Sequence, residues 1–132
     1  MIDAMKLCQM AKNNVNEVTT EQLQQAIRDG ARVIDVREPA EYQQGHIREA
    51  VNMPRGVLEM QLNQHPDVAG YDDALQRIAD KPLYLICGTG GRSALSAESL
   101  ERMGFDKIYN VAGGMKAWQQ EKRPVVMGDP TA

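Results

Sequence analysis

The stretch that decides the fold is LYLICGTGGRSAL, Leu83 to Leu95. Leu83 to Cys87 form an apolar run too short for a helix and bounded by Lys81-Pro82 and by glycines, which predicts a buried strand. The next five residues, Gly88-Thr89-Gly90-Gly91-Arg92, carry almost no side-chain bulk until the arginine. From Ser93 to Met103, closed by Gly104, the pattern predicts a helix. A nucleophilic side chain thus stands at the carboxyl end of a strand, on a small-residue loop that leads into a helix.

Working outward, the same alternation recurs. Ala31 to Val36 (ARVIDV), Glu49 to Met53 (EAVNM) and Lys107 to Val111 (KIYNV) are further strand candidates. Thr19 with Gln22 fits a capping box, Leu23, Ala26 and Ile27 share one helical face, and Gly30 ends that helix. Tyr71, Ala74, Leu75 and Ile78 mark another helix, and Gly114 to Gln120 a third. Strands alternating with helices imply an α/β fold with a parallel sheet covered on both faces. Ile2, Met5 and Cys8 lie at helical spacing, so Cys8 is expected to pack as a small hydrophobe.

Composition narrows the function classes. The chain has 132 residues, enough for one domain with a real core; 42% are apolar and 25% charged. A net charge of −3 argues against an extended nucleic-acid surface. Cys8 and Cys87 form no C-x-x-C pair and have no zinc spacing, so neither a metal nor a disulfide framework is expected. No cofactor is implied. A reducing, cytoplasmic setting without a membrane span is the expectation, and nothing in the sequence sets an oligomeric state.

The loop after Leu83–Cys87 has its own chemistry. In an open α/β sheet, ligands bind beyond the carboxyl ends of the strands. Gly88, Gly90 and Gly91 permit the positive φ angles by which consecutive N–H groups turn inward as an anion-binding nest, with Thr89 shaping the pocket. The following helix adds the positive end of its dipole. Both favour a Cys87 thiolate over a thiol. Taken alone, the pattern fits equally a core cysteine followed by a turn.

Three segments change that balance. VIDVREPAEYQQGHIREAVNMP (Val33 to Pro54), CGTGGRS (Cys87 to Ser93) and VAGGMKAW (Val111 to Trp118) resemble, in this order, the signature segments of the rhodanese family of sulfurtransferases. Glu49 stands where that family usually has glycine in its G-H-I-x-G-A turn. The resemblance implies a rhodanese-like, five-stranded parallel sheet with helices on both faces. The domain is placed at 19–123; residues 1–18 read as a helical extension, and 124–132, with two prolines and a Gly-Asp, as a loose tail.

The resemblance further implies that Cys87 is a nucleophile. It would take a sulfane sulfur from thiosulfate or a persulfide and pass it to cyanide, a small thiol or a protein cysteine. The alternative is a sulfur carrier or regulatory module acting inside a protein complex. The C-x4-R spacing from Cys87 to Arg92 is one residue shorter than the C-x5-R loop of related phosphatases.

Around the loop, the expectations are these. Arg92 either binds the donor or braces the loop by pairing with a carboxylate. Arg37 either contacts substrate or pairs with Asp35 or Glu38. Asp35 is structural, holding loop N–H groups or an arginine. His46 serves the turn, His65 is exposed, and Trp118 with Met115 packs in the core.

Overall fold

The computed structural model of the chain describes residues 1–128. In chain order the elements are α1 (Ala4–Asn14), β1 (Asn16–Val18), α2 (Thr20–Arg28), β2 (Arg32–Asp35), α3 (Pro39–Gln43) and β3 (Ala50–Asn52). They continue with α4 (Leu58–Gln61), α5 (Ala74–Ala79), β4 (Leu83–Ile86), α6 (Gly91–Arg102), β5 (Ile108–Val111) and α7 (Gly114–Gln120), with short 3-10 turns on either side of α4. The five strands form one sheet in the order β1-β5-β4-β2-β3, every pair parallel.

Period-two alternation along the strands builds the two layers. Ile34, Leu83, Leu85 and Ile108 face one side, where Leu58, Leu62, Ile78, Ala97 and Leu100 cover them. Val33, Ile86 and Val111 face the other, against Leu23, Tyr42, Met115 and Trp118. Helices α4 to α6 therefore serve one face and α2, α3 and α7 the other. Met115 and Trp118 are core residues, as expected.

The capping box at Thr19 is present: the Gln22 N–H donates to Thr19 Oγ1 (3.0 Å) and the Thr19 N–H to Gln22 Oε1 (2.8 Å).

Two terminal segments depart from expectation. Residues 1–18 are more than a helical extension: α1 packs on α6, and β1 pairs with β5 through Asn16↔Tyr109 and Val18↔Val111 as an edge of the sheet. Pro124 to Gly128, expected to be loose, are tied to the domain. Val126 forms an antiparallel bridge with His46, Trp118 Nε1 donates to the Pro124 carbonyl (2.9 Å), and the Gly128 N–H donates to the Gln43 carbonyl (2.8 Å). The rest of that tail, 129–132, lies outside the described residues.

β4 is the middle strand. The chain leaves β2 toward one edge and β4 toward the other, so the carboxyl ends of these two neighbours flank the crevice where open α/β sheets place their ligands. Cys87 follows β4, and Asp35 with Arg37 ends β2.

Candidate active site

Cys87 is 1% exposed, yet its sulfur is not turned to apolar neighbours alone. Cys87 Sγ accepts the Gly90 N–H at 3.1 Å and the Ser93 N–H at 3.4 Å, and the Ser93 hydroxyl lies 3.3 Å away as a third donor. Gly90 is the N-cap of α6 and has a left-handed φ of +100°, open to glycine and strained for most other residues. The turn at Gly90 and the free N–H groups of the first helical turn together aim donors at one sulfur.

The carbonyls of the same loop are held from the opposite direction. The Met115 N–H donates to the Cys87 carbonyl (2.8 Å) and the Lys116 N–H to the Gly88 carbonyl (3.0 Å), so the first turn of α7 docks on the start of the loop. Such close approach needs Gly114, at φ +55°: a Cβ there would lie 2.7 Å from the carbonyl carbon and oxygen of Gly88. With these carbonyls bonded outward, the N–H groups that follow can turn toward the sulfur.

Arg92, the first long side chain of the loop, makes a two-pronged pair with Glu41 of α3, at 2.8 Å (Nη1–Oε1) and 3.1 Å (Nη2–Oε2). Its hydrogen bonds hold the Glu41 carboxyl below its ordinary value, and Glu41 in turn keeps Arg92 more firmly protonated. The bracing role thus has a named partner. Thr89 is exposed, while Gly88, Gly91 and Arg92 are half-buried.

Arg37 pairs with Asp35, one of the alternatives open in the sequence. The wholly buried Asp35 carboxylate accepts the Arg37 N–H (3.0 Å) and its guanidinium (Nη2–Oδ2, 2.8 Å), and the same Nη2 donates to the Gly45 carbonyl at 2.8 Å. Asn52 locks this corner by donating to the carbonyls of Asp35 (3.0 Å) and Arg37 (2.9 Å). A buried ion pair of this kind is tolerable because nearly every polar atom finds a partner.

His46 stacks on Tyr42 at 3.6 Å, with Nδ1 2.8 Å from the Tyr42 carbonyl; it serves the turn. His65 corrects the expectation of exposure. It is 4% exposed, accepts the Asp67 N–H at Nδ1 (3.2 Å), and burial lowers its affinity for a proton. Cys8 is half-buried: a Cβ on Gly91 would lie 3.1 Å from Cys8 Sγ.

The structure therefore gathers Cys87, Gly88, Thr89, Gly90, Gly91 and Arg92 at one end of β4 and puts Arg37 at the neighbouring strand end. Sequence reasoning missed Ser93 as a sulfur contact, Glu41 as the partner of Arg92, and α7 as the support of the loop. The hydroxyl at position 93 was readable from its place in the first helical turn. Glu41, 51 residues away, left no local signal.

Fold and site define a doubly covered parallel α/β domain that presents one cysteine sulfur to backbone donors at a strand end. The chain belongs to the rhodanese-like family: residues 19–121 match the Rhodanese-like domain. It is 39% identical over 88 residues to the uncharacterized protein YqhL of Bacillus subtilis, covering 67% of this chain and 60% of that protein. To the putative sulfur carrier YrkF of the same organism it is 29% identical over 108 residues, covering 80% of this chain and 52% of the relative. The chain thus spans only about half to three-fifths of these two relatives.

A sulfurtransferase of Allochromatium vinosum is 29% identical over 114 residues, covering 85% and 95% of the two chains. Among solved structures, a Rhodopseudomonas palustris protein described as a possible tyrosine phosphatase superposes with a TM-score of 0.77 at 25% identity, covering 96% of each chain. A rhodanese-related protein of Thermoplasma volcanium gives 0.69 at 30% identity, covering 85% and 98%. The kinship supports a role in sulfur transfer in general. Among the described residues no helix is long and apolar enough to cross a membrane.

Proposed function

We propose that the protein is a sulfurtransferase that carries a sulfane sulfur on Cys87. The observation that carries this reading is the set of three donors, Gly90 N–H, Ser93 N–H and Ser93 Oγ–H, converging on Cys87 Sγ. Donors fixed in advance around an anionic sulfur stabilise it without reorganising during the reaction.

In the first step the Cys87 thiolate attacks the outer sulfur of a persulfide or of thiosulfate. The donor S–S bond breaks, and a thiolate or sulfite leaves with the electron pair. In the second step an acceptor thiolate or cyanide attacks the outer sulfur of Cys87–S–S⁻. That bond breaks and the Cys87 thiolate returns. Neither leaving group needs a proton from the protein. Dividing the transfer through a covalent intermediate replaces one difficult displacement by two easier ones.

Charge around the loop supports a persulfide, small or protein-borne, over thiosulfate as the better donor. The guanidinium groups of Arg37 and Arg92 are both committed to carboxylates, Asp35 and Glu41. A doubly charged thiosulfate would meet backbone dipoles and two arginines whose charge is already balanced by carboxylates. The near-complete burial of Cys87 and the C-x4-R loop suit a slender sulfur better than a tetrahedral phosphate.

The second reading is a sulfur carrier within a protein complex, favoured by the relative YrkF, a putative sulfur carrier. The test is intact mass after incubation with thiosulfate or glutathione persulfide and removal of the excess. A gain of one sulfur atom, absent in Cys87→Ser and reversed by cyanide, is the expected result. No gain from either donor refutes the proposal; a gain with no multiple turnover to free acceptors favours the carrier. Much faster turnover with thiosulfate than with the persulfide removes the donor preference.

A further inference from the structure

Gly90, whose N–H reaches the sulfur, is also held by its carbonyl. That oxygen accepts Asn110 Nδ2 at 3.1 Å as well as the Ala94 N–H at 3.2 Å. Asn110 lies on β5 and is wholly buried. The same Nδ2 donates to Glu17 Oε2 on the edge strand β1, at 2.5 Å, across a pair in direct register. Asn110 Oδ1 has no hydrogen-bond partner among the described residues.

A buried amide that leaves its acceptor unused is uncommon, and such a group calls for an explanation. Its orientation follows from its neighbours. Rotating the amide by half a turn would put Oδ1 against both the Glu17 carboxylate and the Gly90 carbonyl, two acceptors with nothing to give. Glu17 therefore fixes which end of Asn110 faces Gly90. The Lys12 side chain of α1 adds to this corner: its Cε is 3.7 Å from where a Gly90 Cβ would stand, and its charge acts on Glu17. Lys12 and Glu17 both precede residue 19, where the match to the family begins, and the sulfur chemistry described above uses neither.

We propose that Asn110 is a positioning residue of the sulfur site, oriented by Glu17: it anchors the Gly90 carbonyl and so keeps the Gly90 N–H aimed at Cys87 Sγ. The N-terminal segment would then complete the reactive loop from behind as well as covering the sheet edge. This rests on the reading of Cys87 as the sulfur-bearing nucleophile.

The experiment compares Asn110→Ala, Glu17→Ala, Glu17→Gln and the Glu17→Ala/Asn110→Ala double variant in the full chain. Asn16→Ala is the structural control: it removes the neighbouring β1–β5 contact from Asn16 Nδ2 to the Ile108 carbonyl without touching the loop. One pair of readouts is independent of sulfur transfer: hydrogen exchange of the Gly90 amide by NMR, and the rate of Cys87 alkylation by iodoacetamide. A second pair is kcat and KM for transfer from glutathione persulfide to cyanide.

Deleting one preorganised donor costs roughly 100- to 1,000-fold in rate; misaiming one is expected to cost about tenfold. Asn110→Ala and Glu17→Ala should each speed Gly90 exchange and lower kcat about tenfold, with KM and the Asn16→Ala control within about twofold of the wild type. Glu17→Gln, whose side-chain oxygen still accepts from Asn110, should stay within about twofold, and the double variant should be no worse than Asn110→Ala. Unchanged Gly90 exchange in Glu17→Ala, or the same losses in Asn16→Ala, overturns the proposal. Should Asn110→Ala not fold, Glu17→Ala, at an exposed position, decides alone. If the wild type takes up no sulfur, the proposed function fails while Gly90 exchange still scores this inference.

Discussion

Replacing Gly114 by alanine tests the support of the loop at its tightest point. Two costs add. An alanine at φ +55° pays roughly 1 kcal/mol for the left-handed backbone. Its methyl group would also collide with the Gly88 backbone at 2.7 Å, pushing α7 away from the two carbonyls it bonds. Losing the Met115 and Lys116 hydrogen bonds costs about 1 kcal/mol each, for roughly 3 kcal/mol in all.

Gly30→Ala isolates the first cost, because Gly30 has φ +87° with nothing within 4 Å of an added Cβ. For a domain of this size 1 kcal/mol moves the melting temperature by roughly 3–5 °C, so about 4 °C is expected for Gly30→Ala and about 12 °C for Gly114→Ala. Thermal unfolding followed by circular dichroism measures both. Sulfur loading of folded Gly114→Ala, followed by intact mass at 20 °C, should fall while that of Gly30→Ala does not. Equal melting temperatures for the two variants would refute the claim that α7 holds the loop through this contact.

Three further outcomes follow from the site. Ser93→Ala removes one of three sulfur donors and should slow sulfur uptake by Cys87 about 100-fold in a stopped-flow assay, with little change in melting temperature. Glu41 has a folded-state value below its ordinary 4.5, so the Arg92 pair contributes fully above that value and is lost as pH falls through the lowered one. Since both partners are half-exposed, the contribution is under about 1 kcal/mol; Glu41→Gln should show a correspondingly flatter fall in stability by urea titration as the pH drops below 4.5. Cys8→Ser should load sulfur like the wild type, and its failure to do so would overturn the reading of Cys8 as packing.

The strands richest in β-branched and apolar residues, β2, β4 and β5, were legible because burial on both faces leaves a continuous apolar run. β1 was not: Asn16-Glu17-Val18 is short, polar and largely exposed, and only its pairing with β5 makes it a strand. The short helices α3 and α4 are too brief to show a period. At the site, the glycine loop was readable because its purpose is backbone geometry, which composition reveals. Arg37 and Arg92 were ambiguous because a guanidinium serves pairing and anion binding equally well, and Glu41, which decides for Arg92, lies far away in the chain. His65 misled through its polar neighbours: Asn63, Gln64, Pro66 and Asp67 suggest a wet loop, yet the imidazole is enclosed. Pro124 to Gly128 misled in the same way, since a proline and a glycine do not reveal a strap laid against His46.

The placement of β4 at the centre of the sheet bears on how the protein loses activity. A cysteine loop sprung from an edge strand could fray while the remainder stayed intact. Here β4 is held by both flanking strands and its loop by α6 and α7, so the loop keeps its shape until the sheet itself opens. Inactivation by heat and disappearance of the folded domain are then expected to be one event, with the melting curve and the loss of sulfur loading coinciding.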